Sequence, residues 1–391
     1  MLATTATQAS IVVLAPIVVE IGRDLGASVS AIGLARSVLS GVAVGVSLAI
    51  GPLIDRVGVR PLIVNGAAIA FAGAVLTAVA PSLPLFYAAH VVTGAGVACL
   101  LSAGFAGVAS LFDDRDAAWA MGYVVGAQSL AWIAGNPIIG LLADSGSWRL
   151  SYAVPAVISL AALAAGLTAP SAPAPSGRGA DGSIRAGLAA VFRDPSARRW
   201  TIAELVAYSA WTAELTYAGA FYVQNYGVSE TTVGVLLAAG SVVFLLTSLN
   251  TERLTRRFAR RRLIVGASLG MGLMLIPVLN VTPSAAGTLA LFCVLALFAA
   301  VRSTGSSALG LEQLPGRPGS MMGARTASAQ LGYMLGAAGG GLVLALSDFG
   351  TLGFVLFAGM ALASWLLSRV ADPQARRRRV IREGLPEVVP D

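Results

Sequence analysis

The chain has 391 residues, of which 56% are hydrophobic and only 12% charged, and its mean hydropathy is +0.79. A soluble protein carries roughly 25% charged residues, so this composition excludes an ordinary aqueous domain and points to a lipid bilayer as the solvent. A net charge of +7 and a pI near 10.0 would suggest nucleic acid on a soluble chain, but here the charge is divided among short connections and no nucleic-acid partner is expected.

Apolar windows of about 20 residues, the length that crosses roughly 30 Å of hydrocarbon as a helix, recur from end to end. They lie near residues 2–21, 31–54, 61–80, 84–110, 118–142, 150–168, 201–225, 230–250, 263–281, 285–309, 322–346 and 350–369. The first begins almost at Met1 and contains Thr4, Thr5, Thr7, Gln8 and Ser10. It lacks the basic leader of a secretory signal and is read as a span. Both cysteines, Cys99 and Cys293, fall inside apolar stretches and read as small buried hydrophobes, not as a disulfide. The longest connection opens with PSAPAPSGRGADG, which cannot bury anything, and continues as SIRAGLAAVFRDPSARRW. In the second part Ile184, Leu188, Val191 and Phe192 form an apolar stripe beside Arg185 and Arg193, so it is either a short surface helix or a solvated tether. The implied organisation is a six-helix bundle over 1–168, a linker over 169–200, a second six-helix bundle over 201–370 and a basic tail over 371–391.

With twelve spans, 22 of the 26 arginines fall on one side, 2 on the other (Arg23 and Arg149), and Arg36 and Arg302 lie within spans. By the positive-inside rule this places both termini in the cytoplasm, with the chain in the inner membrane. The two halves also share a register. Gly51, Leu53, Arg56 and Arg60 meet Glu252, Leu254, Arg257 and Arg261 at an offset of 201, and Met121, Gly122, Leu130, Gly135, Gly140 and Leu141 meet Met322, Gly323, Leu331, Gly336, Gly341 and Leu342 at the same offset. That argues for a duplicated six-helix unit, a common way to build a carrier with its site between the repeats.

Four stretches carry a resemblance. GPLIDRVGVRPLI, with Gly51, Leu53, Asp55, Arg56, Gly58 and Arg60, resembles the loop between helices two and three of the major facilitator superfamily. YAAHVVTGAGVA is similar to the helix-four motif of its proton-coupled exporters, with His90 where they carry arginine. WIAGNPIIGLLADSGSWRLSY resembles the helix-five motif of the twelve-span drug:proton antiporters, with Asn136 and Leu141 where they have glycine, and LEQLPGRPGSMMGARTASAQLGYMLGAAGGG resembles their helix ten to eleven connection. The resemblance implies an all-α membrane protein with two six-helix bundles, two-fold pseudo-symmetry and nested inverted repeats. It also implies a latch built from Gly51, Asp55, Arg56, Gly58 and Arg60 on the cytoplasmic side, and a kinked, closely packed helix at Asn136, Pro137 and Gly140.

The residues themselves indicate a pathway. Glu214 lies near the membrane middle, where a bare charge costs at least about 2.5 to 3.5 kcal/mol, so it is protonated part of the time, paired, or facing a wet cavity. Trp211 and Tyr217 are three positions to either side of it, and Tyr208 is on the same helix; the aromatic faces suit flat apolar or cationic molecules, or else pack against neighbouring helices. His90, the only histidine, is either a proton-sensitive group or a neutral packing residue. Arg36 and Arg302 need anionic company, for which Glu20 and Glu204 are the candidates by depth; either arginine could instead bind substrate. No GxxxxGK[ST] sequence occurs and no metal-ligand or nucleophile cluster stands out, so neither ATP-driven transport, nor an enzyme, nor a cofactor is expected. The expected function is export of small, amphipathic or drug-like compounds by a monomer with protons as coupling ion; the alternative is a carrier for a specific metabolite on the same fold.

Overall fold

The computed structural model describes residues 1–111, 114–169, 184–281, 284–314 and 316–372, and every regular element in them is a helix. In the first half, α1 (Leu2–Val12) and α2 (Leu14–Asp24) form one bent crossing. They are followed by α3 (Val29–Val57), α4 (Val59–Ala78), α5 (Leu83–Leu111) and α6 (Asp114–Asp144), then α7 (Trp148–Ser151) and α8 (Ala153–Thr168) as the sixth crossing. A connecting helix, α9 (Ile184–Arg193), leads to α10 (Pro195–Tyr226), α11 (Glu230–Arg257), α12 (Arg260–Asn280), α13 (Ala285–Leu311), α14 (Pro318–Leu346) and α15 (Phe349–Ser368). Among the described residues nine helices are each apolar and long enough to cross a bilayer, and the α1–α2 pair makes a tenth. The polar α10 and the proline-bearing α6, of 32 and 31 residues, complete twelve crossings.

The first span departs from the continuous helix expected over 2–21. It bends by 44° between Val12 and Leu14, because Pro16 has no N–H to give the Val12 carbonyl and the helical ladder is interrupted there. The guanidinium of Arg36 on α3 takes up part of the loss, donating to the Ile11 carbonyl at 2.7 Å.

The duplication extends beyond the segments that signal it in the sequence. Gly26 and Gly227 are 201 residues apart and both take φ of +61°, a left-handed turn that favours glycine. Two residues after each comes the serine cap of the next helix: Ser28 accepts from the Ala31 N–H at 3.2 Å and Ser229 from the Thr232 N–H at 3.3 Å. Arg60, at the start of α4, donates to the carbonyls of Gly166 and Leu167 at the end of α8, at 3.1 and 2.7 Å. Its counterpart Arg261, at the start of α12, donates to the Val370 carbonyl just past α15 at 3.0 Å. In both halves an arginine thus closes the orphan carbonyls of the last helix in its own bundle.

Within the bundles α4 packs on α5 and α8, and α12 on α13 and α15. Between them α3 lies against α14, and α6 against α11, related by the same two-fold repeat, while α10 lies against α2. Leu346 and Leu249, 79% and 71% exposed, show that apolar side chains also face outward, as lipid permits.

Candidate functional site

The face that carries the connecting helix α9 is here called the linker face, and the opposite one the far face. The bundles meet closely toward the far face. Glycines make this possible: Gly140 on α6 lies against the backbone of Glu230 and Thr231, Gly234 on α11 against that of Asn136 and Pro137, and Gly219 on α10 against the Ala15 carbonyl. Two hydrogen bonds cross the same seam, from the Thr231 N–H to Asp144 at 2.9 Å and from the Ser37 hydroxyl to the Met334 carbonyl at 2.8 Å. Toward the linker face the bundles part. Gly126 on α6 and Gly323 on α14 are exposed with open space where a side chain would stand. An open recess of about 440 Å³ runs along the inner end of α11, by Leu246, Thr247, Asn250, Arg253 and Leu254.

Deep between the bundles, Ile11, Leu14, Ala15, Arg36, Trp132, Leu215 and Thr216 enclose a void of about 10 Å³, the room of roughly one water. The seven lining residues come from both halves, and Arg36 supplies the only charge among them. Glu214 is not one of them. It is 2% exposed, one carboxyl oxygen is buried without a hydrogen-bond partner, and no cation pairs with it among the described residues. Tyr217, by contrast, reaches across the seam to Gly33 while its hydroxyl donates to the Ala337 carbonyl at 2.8 Å. Trp211 stacks on Phe244 of α11 with ring centroids 6.2 Å apart. Equal spacing on the helix therefore does not bring Trp211, Glu214 and Tyr217 to one wall: the outer two residues turn to different neighbouring helices.

A buried polar cluster lies where α10, α13 and α14 meet. Glu204, fully buried, pairs with Arg302 and accepts from the Ser306 hydroxyl at 2.7 Å, and Trp200 donates to that serine at 3.0 Å. Tyr208 sits edge-on to Tyr333, centroids 5.6 Å apart. The guanidiniums of Arg302 and Arg325 each lie 5.8 Å from the Tyr208 ring centre, and that of Arg36 lies 5.5 Å from the Tyr333 ring centre. Arg36 does not meet Glu20, whose carboxylate instead accepts the Trp148 N–H at 2.9 Å. Arg36 lies at the level of Ile11, nine residues along the first span from Glu20, so it sits deeper than its place in the sequence suggested.

His90, 3% exposed, is hydrogen-bonded to the Phe86 carbonyl one turn back at 2.8 Å and packs against the rings of Phe86 and Tyr152. Asn136, with no exposed surface, donates to the Trp132 carbonyl at 2.8 Å while its side-chain oxygen stays unbonded. Of the latch residues, Gly51 and Asp55 lie within α3, the side chain of Asp55 being outside what the structure describes; Gly58 forms the α3–α4 turn at φ +78°, Arg56 is exposed and Arg60 is engaged inside its own bundle.

Besides Ser306 and Trp200, two residues of this site stand outside the sequence-based candidates, Arg325 and Tyr333. Arg325 counts with the arginines of the arginine-rich side when the eleventh span starts at 322, only three residues before it; α14 begins at Pro318, so Arg325 lies about two turns into the helix, beside Tyr208. The proline, favoured in the first helical turn, was the available signal. Tyr333 lies mid-helix with no charge near it in sequence, and nothing in the local pattern marks it.

Twelve crossings in two repeated bundles, close together at one face and parted at the other around buried polar groups, form an architecture that secondary carriers use. The chain belongs to the Major Facilitator Superfamily, whose family profile matches residues 1–224 and 200–389. It is 27% identical over 153 residues to the multidrug resistance protein MdtM of Salmonella typhimurium, covering 38% of this chain and 36% of that one. It is 29% identical over 171 residues to the multidrug resistance protein MdtL of Shigella dysenteriae, covering 42% and 43%. The chain thus spans about two fifths of the length of these curated relatives. A crystal structure of a D-xylose-proton symporter superposes with a TM-score of 0.78 at 15% identity, covering 95% of this chain and 96% of that one, a likeness of fold.

Proposed function

We propose that the protein exports small amphipathic compounds across the inner membrane by alternating access, exchanging them for protons, with the linker face and both termini in the cytoplasm. The observation that carries the coupling is Glu214: a carboxyl midway along α10, sealed inside the protein with no cation beside it among the described residues. A bare charge in that position is costly, so such a group exchanges its proton when the surroundings change between dry and wet. Alternating access makes that change in every cycle. Export is supported by the partial likeness to the two multidrug resistance proteins, and the cytoplasmic linker face by the arginine asymmetry. In the conformation described here the carrier is then open inward, ready to load from the cytoplasm, and the cluster Arg56, Gly58 and Arg60 is at the side that must close.

Purified protein in proteoliposomes with an imposed pH gradient tests this against a panel of amphipathic dyes. Wild type should move dye against its gradient, and Glu214→Gln should insert and fold normally yet lose gradient-driven movement. Undiminished pH-driven efflux by Glu214→Gln would sink the coupling role. The second reading, a carrier for one metabolite, draws on Asn136 and Leu141, which replace glycines of the exporter motif; counterflow of a sugar or amino acid without proton-dependent dye efflux would select it.

A further inference from the structure

Among the described residues the site has a surplus of positive charge, three arginines against one carboxylate. Arg36 and Arg302, 8% and 3% exposed, and the half-buried Arg325 surround the Tyr208–Tyr333 pair, and the single carboxylate among them, Glu204, is taken by Arg302. The Nε atoms of all three arginines are buried without a hydrogen-bond partner. Neither Arg36 nor Arg325 has a carboxylate partner among the described residues. His90 brings no negative charge, and Glu214 makes no pair with any of them.

Buried charges are retained only when paired or functional, because an uncompensated one weakens the fold. Three guanidiniums strung along two aromatic rings give a distinct recognition surface. Their planar forks match carboxylate, sulfonate or phosphate oxygens, and the ring faces take a flat apolar body. Tyr333 and Arg325 belong to α14, which faces α3 of the other bundle, so the surface is shared by both halves, as the site of a rocking carrier must be.

Resting on the carrier reading above, we infer that the transported molecule is an amphipathic organic anion, held across the Tyr208–Tyr333 pair by Arg36, Arg302 and Arg325. This narrows the flat apolar or cationic molecules that the aromatic faces suit in sequence to an amphipathic anion. It also fits export, since an inside-negative potential drives an anion outward. Arg302 keeps Glu204 neutralised while its free edge, with those of Arg36 and Arg325, meets the anionic head.

Three probes of one shape separate the possibilities: naphthalene-1-sulfonate, the uncharged naphthalene-1-methanol and the cationic 1-naphthylmethylammonium. Their binding to purified protein in nanodiscs is read by quenching of tryptophan fluorescence. Wild type should bind the sulfonate about tenfold more tightly than the alcohol, the scale of one charged hydrogen bond. Arg325→Gln should remove the preference and Arg325→Lys should keep part of it. Equal binding of the three probes by wild type, preference for the ammonium, or an unchanged preference in a folded Arg325→Gln protein would overturn the inference. Flux of the same probes in proteoliposomes tells the two ideas apart. Movement of the alcohol or ammonium with no anion preference would end this inference alone, and anion-selective binding without flux of any probe would end the carrier reading and leave only an anion-binding site.

Discussion

Replacing Gly140 by alanine tests whether the far-face seam is a contact that must open. A methyl there would lie 2.7 Å from the Glu230 carbonyl carbon and 2.8 Å from Thr231 Cα, where ordinary contact begins at 3.4 Å. The Glu230 carbonyl oxygen is nearer still, and all three obstacles are backbone at the start of α11, so no side chain can turn aside and the helices must separate. Overpacking of this kind costs about 1 to 3 kcal/mol. The sealed arrangement bears that cost and an open one does not, so the opening equilibrium should rise about 5- to 150-fold. Ser37, whose hydroxyl crosses the seam to Met334, is the reporter. In a Cys99→Ala/Cys293→Ala background, Ser37→Cys should react with an impermeant maleimide at the far face at least about fivefold faster when Gly140→Ala is added. An unchanged rate in a folded protein would refute the reasoning, because it would mean that the seam absorbs the methyl or is not the barrier.

Other perturbations follow from the same geometry. Glu204→Gln leaves Arg302 buried without its counter-charge and should lower stability by about 3 to 5 kcal/mol, whereas Glu204→Gln with Arg302→Met should lose much less; thermal unfolding in detergent distinguishes the two, and equal losses would argue against the pair. Arg60→Ala and Arg261→Ala each remove closing bonds to a helix end, and because these groups are partly exposed the loss should be modest, about 1 kcal/mol each. Similar drops in unfolding temperature would support the shared role, and a loss of transport from Arg60→Ala with no loss of stability would assign it to gating instead. The Asp24–Arg149 pair, with side chains 43% and 33% exposed, should contribute at most about 1 kcal/mol, so Asp24→Asn should melt within a few degrees of wild type.

The twelve crossings and the duplication were legible because hydropathy and arginine placement are one-dimensional signals that a bilayer forces onto the chain. The offset of 201 extended in three dimensions to Gly26 and Gly227, to Ser28 and Ser229, and to the helix-closing roles of Arg60 and Arg261. The site was legible only in part: depth paired Arg302 with Glu204 correctly but misplaced Arg36. Position along a span gives only an approximate level in the membrane, and a residue's direction around the helix depends on which neighbour packs there. Arg36 therefore turned to Ile11 and Tyr333 instead of Glu20, and Trp211 and Tyr217 went to different partners. Two signals were present and unread: Pro16 for the broken first span, and Pro318 for the early start of α14 that draws Arg325 into the site.

The central claim is that the two bundles open one chamber to alternate faces, and distances report it most directly. Spin labels at Tyr123 and Leu249, both exposed on the linker-face portions of α6 and α11, measure one end, and labels at Asp144 and Thr231 measure the other. On changing pH or adding a transported compound, the linker-face distance should shorten in the same population in which the far-face distance lengthens. Distances that stay fixed under every condition that supports transport, or that lengthen together at both faces, would contradict the account.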